Sequence, residues 1–164
     1  MTHKTYYHFL FTCQLLNRFF ERYHPLLPIL DPALNPNAYY RLSRFLFWMI
    51  VITGARRYPK DPSILSKLGP QANTMCFWEI QSPAAPIPTI QGLLLICVWP
   101  IPINSVYKDI TSILSGAAMH LAILAGLHVV GAGHEFLEDK IISDPAEKES
   151  RARLWLHVQM TCQA

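Results

Sequence analysis

The chain has 164 residues, of which 51% are hydrophobic and 15% charged, with a formal net charge of +3. That length and apolar content support one domain with a real core and exclude a disordered chain. So small a charge, spread over short pairs such as Arg56-Arg57, also excludes recognition of nucleic acid by a dense basic tract.

The first element predicted is a helix over 8–22, with Phe9, Cys13, Leu16, Phe20 and Tyr23 on one side. The next ten residues, 23–32, read YHPLLPILDP. Three prolines there rule out a helix interior or a central strand. Leu26, Leu27, Ile29 and Leu30 between them make an apolar strap across a core, with Asp31-Pro32 as a turn. Asn35-Pro36, Asp61-Pro62 and Asp144-Pro145 each place a capping side chain before a proline suited to the first helical position, so three helices start there.

The segment 41–57 contains FLFWMIVI, apolar nearly all round, and is expected to be a buried central helix. Segments 62–68 and 71–81 are expected as a broken pair around Gly69-Pro70. A helix over 88–99 opens with proline and stops before the PIP that follows. The helix over 111–127 is capped by Asp109 and ends before Gly131 and Gly133, and the last helix covers 145–163. Alternating patterns, hairpin turns and repeats are absent, so the fold class is all-α, with about seven helices. Trp48 and Trp99, each inside a long apolar run, are expected to be buried.

The chemistry-bearing residues form no recognisable site. Cys13, Cys76, Cys97 and Cys162 include no C-x-x-C pair, so the common zinc spacing is missing, and three of the four sit in apolar stretches that suit buried free thiols. HEFLE, residues 134–138, approaches a zinc-protease motif but has Glu138 where the second histidine is needed, and reads as an acidic loop. His120 and His128 lie about 12 Å apart along a helix, too far to share a metal, and are expected as core histidines. Ser112, Gly116 and His120, with Ala118, Ala122 and Ala125, suggest close helix packing. Neither a nucleophile elbow nor a phosphate loop occurs. No catalytic, cofactor-binding or metal-binding residue is therefore assigned, and the chain is not expected to be an enzyme.

Residues 110–130 carry no Asp, Glu, Lys or Arg, which keeps a small membrane-associated helical protein as the alternative reading. Polar interruptions at Ser112, Ser115, Gly116, His120 and His128, and the missing aromatic and basic flanks, argue against a span. Residues 6–16 are apolar too, but hold His8 and Gln14 and precede no cleavage site of a leader.

Five stretches occur in order: FFERYHPLLPILDP, YYRLSRFLFWMIVITGARRYPKDPSIL, TIQGLLLICVWPIP, GAAMHLAILAGLH and RARLW. Together they resemble the middle homology, or regulatory, region of fungal zinc-cluster transcription factors. Within that group the chain is most similar to the branch of the leucine-biosynthesis, weak-acid-resistance and extracellular-protease regulators. The resemblance is strongest over 19–155. It implies one partial regulatory domain over 1–164, truncated at the C-terminus because the chain stops at Ala164 inside a helical pattern. It also implies modulation of transcription in the nucleus, through partners in the transcription machinery or self-association, with a small-molecule effector in some members. Zinc and DNA contact belong to a six-cysteine module of full-length members, absent from these residues, so the chain itself is assigned no cofactor. On the same resemblance, Tyr23, His24, Pro25, Pro28, Trp99, Pro100, Arg151, Arg153 and Trp155 are a structural signature rather than a site. The last helix, without its family partners, is expected to expose Leu154, Trp155, Val158 and Cys162.

Overall fold

The computed structural model describes residues 3–102, 109–129 and 144–163. Seven α-helices and no strands occur among them: α1 (His3–Arg22), α2 (Pro36–Leu42), α3 (Arg44–Gly54), α4 (Ile64–Gln81), α5 (Pro86–Val98), α6 (Thr111–Leu124) and α7 (Pro145–Gln163). A short 3-10 turn, His24–Leu26, follows α1.

The two most apolar helices take the centre. In α3 every residue from Phe45 to Gly54 except Trp48 is buried, and in α5 Leu93, Leu94, Leu95 and Ile96 are all at 0–1% exposure. The two pack against each other, with α1 on the far side of α3 and α6 on the far side of α5. A helix buried all round needs such cover on every flank. The cover from α1 is Leu15, Leu16 and Phe19, while Cys13, Phe20 and Tyr23, on the predicted face, are only partly buried. α6 approaches α5 through the i, i+4, i+8 stripe Leu114, Ala118 and Ala122. The predicted stripe of Ser112, Gly116 and His120 faces solvent instead, and an added Cβ at Gly116 meets nothing within 4 Å.

Side-chain caps set the starts of α2, α3 and α7. Asn35 Oδ1 accepts from the Ala38 amide (2.9 Å), with Pro36 at the first helical position. Asp144 Oδ1 accepts from the Ala146 amide (3.0 Å). Asp109, expected to cap α6, closes a turn instead: its Oδ1 accepts from the Thr111 amide (2.9 Å), but Ile110 holds the N-cap position and no side chain caps that helix. Ser43 divides the predicted 41–57 helix, because its extended backbone ends α2 while its hydroxyl accepts from the Leu46 amide (3.1 Å) to begin α3. Asp61 caps a turn rather than a helix: its Oδ1 takes both the amide (2.9 Å) and the hydroxyl (2.6 Å) of Ser63, and α4 starts one residue later.

The expected break at Gly69-Pro70 does not occur, and α4 runs straight through Pro70. Proline removes the bond to the Ser66 carbonyl, but Ser66 and Pro70 are both on the exposed face, where water serves that carbonyl. Gly69 is buried against Ile101, which occupies the space a Cβ would need. Nor is either tryptophan fully buried: Trp48 is 36% exposed and Trp99 half-buried. Trp48 stands at the surface of α3 beside Phe47 (ring centroids 5.6 Å).

The last helix corrects the sequence most sharply. Leu154 and Val158 are buried, at 2% and 0%, because α7 docks on α6 and α5. Its exposed apolar residues are Leu156 and Met160, one turn apart on another face.

Candidate functional site

The proline strap of residues 23–32 lies where the sequence placed it, and its polar groups explain why. Leu27, Ile29 and Leu30 are buried while Leu26 is 70% exposed. The His24 ring bonds the Leu30 carbonyl (2.8 Å), Gln91 Nε2 donates to the Ile29 carbonyl (2.7 Å) and Tyr39 OH donates to the Asp31 carbonyl (2.7 Å). Carbonyls that prolines leave without ladder partners thus take side-chain donors from three elements. Burial pushes the Tyr39 hydroxyl above the ordinary tyrosine range. Asp31 Oδ1 accepts from the Ala33 amide (2.9 Å) and closes the expected Asp-Pro turn.

The strap leads into a latch of arginines at helix C-termini. Arg18 donates to the Arg57 carbonyl (2.7 Å) and, more weakly, to that of Arg56 (3.4 Å), just past the end of α3. Arg56 in turn donates to the carbonyls of Trp99 (3.2 Å) and Pro100 (2.8 Å), at the end of α5. Tyr23 OH donates to the Arg56 carbonyl (3.1 Å), and its ring meets Trp99 edge-on at 5.3 Å. Arg151 repeats the device, reaching from α7 to the Ala125 carbonyl (2.7 Å) at the C-cap of α6. Each guanidinium answers unpaired carbonyls and the negative end of a helix dipole. Arg56 is therefore a cap between helices, and burial lowers its pKa from the ordinary value.

On the far side of the strap an open groove of about 720 Å³ runs between the 3-10 turn, α5, α6 and α7. Leu26, Val98 and Met160 supply exposed apolar wall. Thr111, Ser112, Ser115 and Thr161 supply hydroxyls, His157 an imidazole, and Cys97 and Cys162 thiols. Cys97 Sγ donates to the Thr111 carbonyl (3.6 Å) and Cys162 Sγ to the Ser115 carbonyl (3.2 Å), one turn further along α6. Burial, then Cys162 and Asp109, push the Cys97 thiol up to about 12. Burial and then Arg153 hold the His157 imidazole below its ordinary value. At neutral pH the groove thus presents a thiol at Cys97 and an uncharged imidazole, an apolar and hydrogen-bonding surface.

The residues weighed from sequence for chemistry are not gathered here. His120 and His128 are both exposed, so neither is a core histidine, although the His128 ring packs near Trp155 at 6.1 Å. The segment 134–138, with Gly131 and Gly133, lies outside the described residues. Among the described residues no group of three or more His, Cys, Asp or Glu side chains is placed to hold a metal ion. All four cysteines carry free thiols, with only Cys76 fully buried. Sequence reasoning missed the groove because its thiols and imidazole come from α5 and α7, sixty residues apart along the chain (97 to 157).

The signature residues thus have structural partners, and one comparison decides what they belong to. Residues 16–160 match the family described as the fungal specific transcription factor domain. The chain belongs to that family. Transcriptional regulatory protein SEF1 of Candida albicans is 28% identical over 149 residues, covering 88% of this chain. SEF1 of Saccharomyces cerevisiae is 31% identical over 143 residues (85% of the chain), and regulatory protein LEU3 of the same yeast 26% over 138 residues (75%). The chain spans only 12–16% of the length of these relatives. No solved structure matches it. The family's relatives are transcription factors, not enzymes. No helix among the described residues is long and apolar enough to cross a membrane, which favours the transcriptional reading over the membrane-associated one.

Proposed function

We propose that residues 1–164 form a single, partial regulatory domain that modulates transcription of target genes in the nucleus by contacting other proteins. The family match over 16–160 carries this reading, since the similar relatives are regulators of transcription. The domain's contribution is a surface rather than a reaction. Its interior is held by carbonyl-capping arginines, and its exposed apolar residues, among them Leu156, Met160 and Leu26, offer contact area. Partners in the transcription machinery, or a second copy, meet that area. A small-molecule effector that changed the surface would act through it, and the neutral groove on α6 is the place of suitable size.

The test places the chain between a heterologous DNA-binding domain and an activation segment at a reporter gene. Expected is a reporter output that differs severalfold from that of a fusion carrying an inert spacer of equal length. Equal output at equal protein level overturns the proposal.

A further inference from the structure

We propose that Cys97 and Cys162 are a redox-active pair that a hydroperoxide converts into an intramolecular disulfide joining α5 to α7. The pair rests on geometry. Both sulfurs line the same groove, and both donate to carbonyls of a single helix, Thr111 and Ser115, which are four residues apart. Four residues of helix rise about 6 Å, so the two thiols are docked one turn apart along a common wall. α5 and α7 are in direct contact, so no element has to be displaced between them. Each sulfur gives up one weak S–H bond to a carbonyl on reaching the other.

The two thiols differ in the way a peroxide-reactive pair needs. Cys162 is exposed at the open rim, while Cys97 is half-buried behind it. The exposed one reacts first: the Cys162 S–H releases its proton to water, and the thiolate attacks one peroxide oxygen. The O–O bond breaks, leaving sulfenic acid on Cys162 and a hydroxide that takes up a proton to become water. The Cys97 S–H then gives up its proton, and the resulting thiolate attacks the Cys162 sulfur and breaks the S–O bond. Hydroxide departs with the Cys97 proton as the second water. Two thiols have lost two protons and two electrons, and one hydroperoxide has been reduced. The partly covered position of Cys97 shields it from peroxide, and a sulfenic acid held close captures the small fraction of Cys97 thiolate as it forms. Cys76 is the competitor, since it lies within electrostatic reach of Cys97. It is fully buried in α4, away from the rim, so peroxide reaches Cys162 instead.

The full chain is treated with hydrogen peroxide, quenched, alkylated and analysed by intact mass and peptide mapping. Expected is a monomer lighter by two hydrogens, one cross-linked peptide pair containing Cys97 and Cys162, and reversal by dithiothreitol. The oxidised chain also melts at a higher temperature, because the bond closes a long loop. Replacing Cys97→Ser leaves Cys162 to accumulate sulfenic acid, trapped by dimedone, and Cys13→Ser changes nothing. A Cys76–Cys97 pairing, a disulfide only between chains, or over-oxidised Cys162 with Cys97 still free overturns the proposal. The peroxide-treated, unsubstituted protein supplies the deciding map, so the result does not depend on any variant folding.

Discussion

Two glycines of this chain have opposite surroundings. Gly54 sits where α3 crosses α1, and a Cβ built on it strikes the Leu15 carbonyl and presses on Phe19. Backbone is in the way, and both helices are pinned by the core and by the Arg18 latch, so the clash relaxes only by parting them. Gly116 is mid-helix on the solvent face of α6 with open space around it. Gly54→Ala is expected to lower stability by about 1–3 kcal/mol through overpacking. Gly116→Ala is expected to raise it by about 0.5–1 kcal/mol, because glycine is a poor helix residue and loses more freedom on folding. Denaturant melts of both variants check the pair, and a destabilised Gly116→Ala would show that this face of α6 is covered. Arg57 marks a third backbone constraint. Its φ of 51° lies in the left-handed region, and the turn is held by Arg18, which takes the Arg57 carbonyl.

Ser43 does two jobs between elements. It ends α2 with its amide donating to the Tyr39 carbonyl (3.0 Å), and starts α3 with its hydroxyl. Ser43→Ala removes the cap but keeps the extended backbone, so a loss of about 1 kcal/mol is expected. Asparagine, which also accepts from the first turn, is expected to restore most of it. Thermal melts of Ser43→Ala and Ser43→Asn check this, and equal melting of all three proteins would deny the cap. The position also shows why parts of the fold were legible and parts were not. Asn35 and Asp144 announce helix starts because their capping chemistry is local and written in adjacent residues. Ser43 lies between Leu42 and Arg44 with no proline or glycine beside it, so periodicity reads straight over it. Pro70 errs the other way: its break signal is genuine, but its lost bond falls on the wet face of a helix otherwise fixed by buried Ile64, Ala72 and Cys76. α7 was legible as a helix and not as a surface. Which stripe of an amphipathic helix is covered depends on the partner, and Leu154 and Val158 find theirs on α5 and α6. The groove was illegible for the same reason, since it is made by the meeting of three helices rather than by any one of them.

At the scale of the molecule, part of the positive charge is already committed. Of the fourteen Lys and Arg residues, Arg18, Arg56 and Arg151 cap helix carbonyls, Lys67 pairs with Asp61, Arg153 pairs with Glu149, and Arg44 lies over the Tyr40 ring. A guanidinium that reads a base edge must be free to present two donors in a groove, and these are spent on the fold. The 164 residues contain no C-x-x-C pair from which a zinc-held reader is built. This chain by itself is therefore expected to attach to DNA weakly and without regard to sequence. With only short, scattered basic pairs, few phosphates are neutralised at once, and since each contributes about −0.9 to the dependence of log affinity on log salt, a shallow slope is expected. Anisotropy titrations over a salt series measure that slope, and repeated selection from a randomised duplex library measures discrimination. Sequence-specific proteins prefer their site by roughly 10³ or more. Enrichment of one sequence to that degree, with or without added zinc, would mean that a reader is folded into these helices and that the arginine caps have a second use.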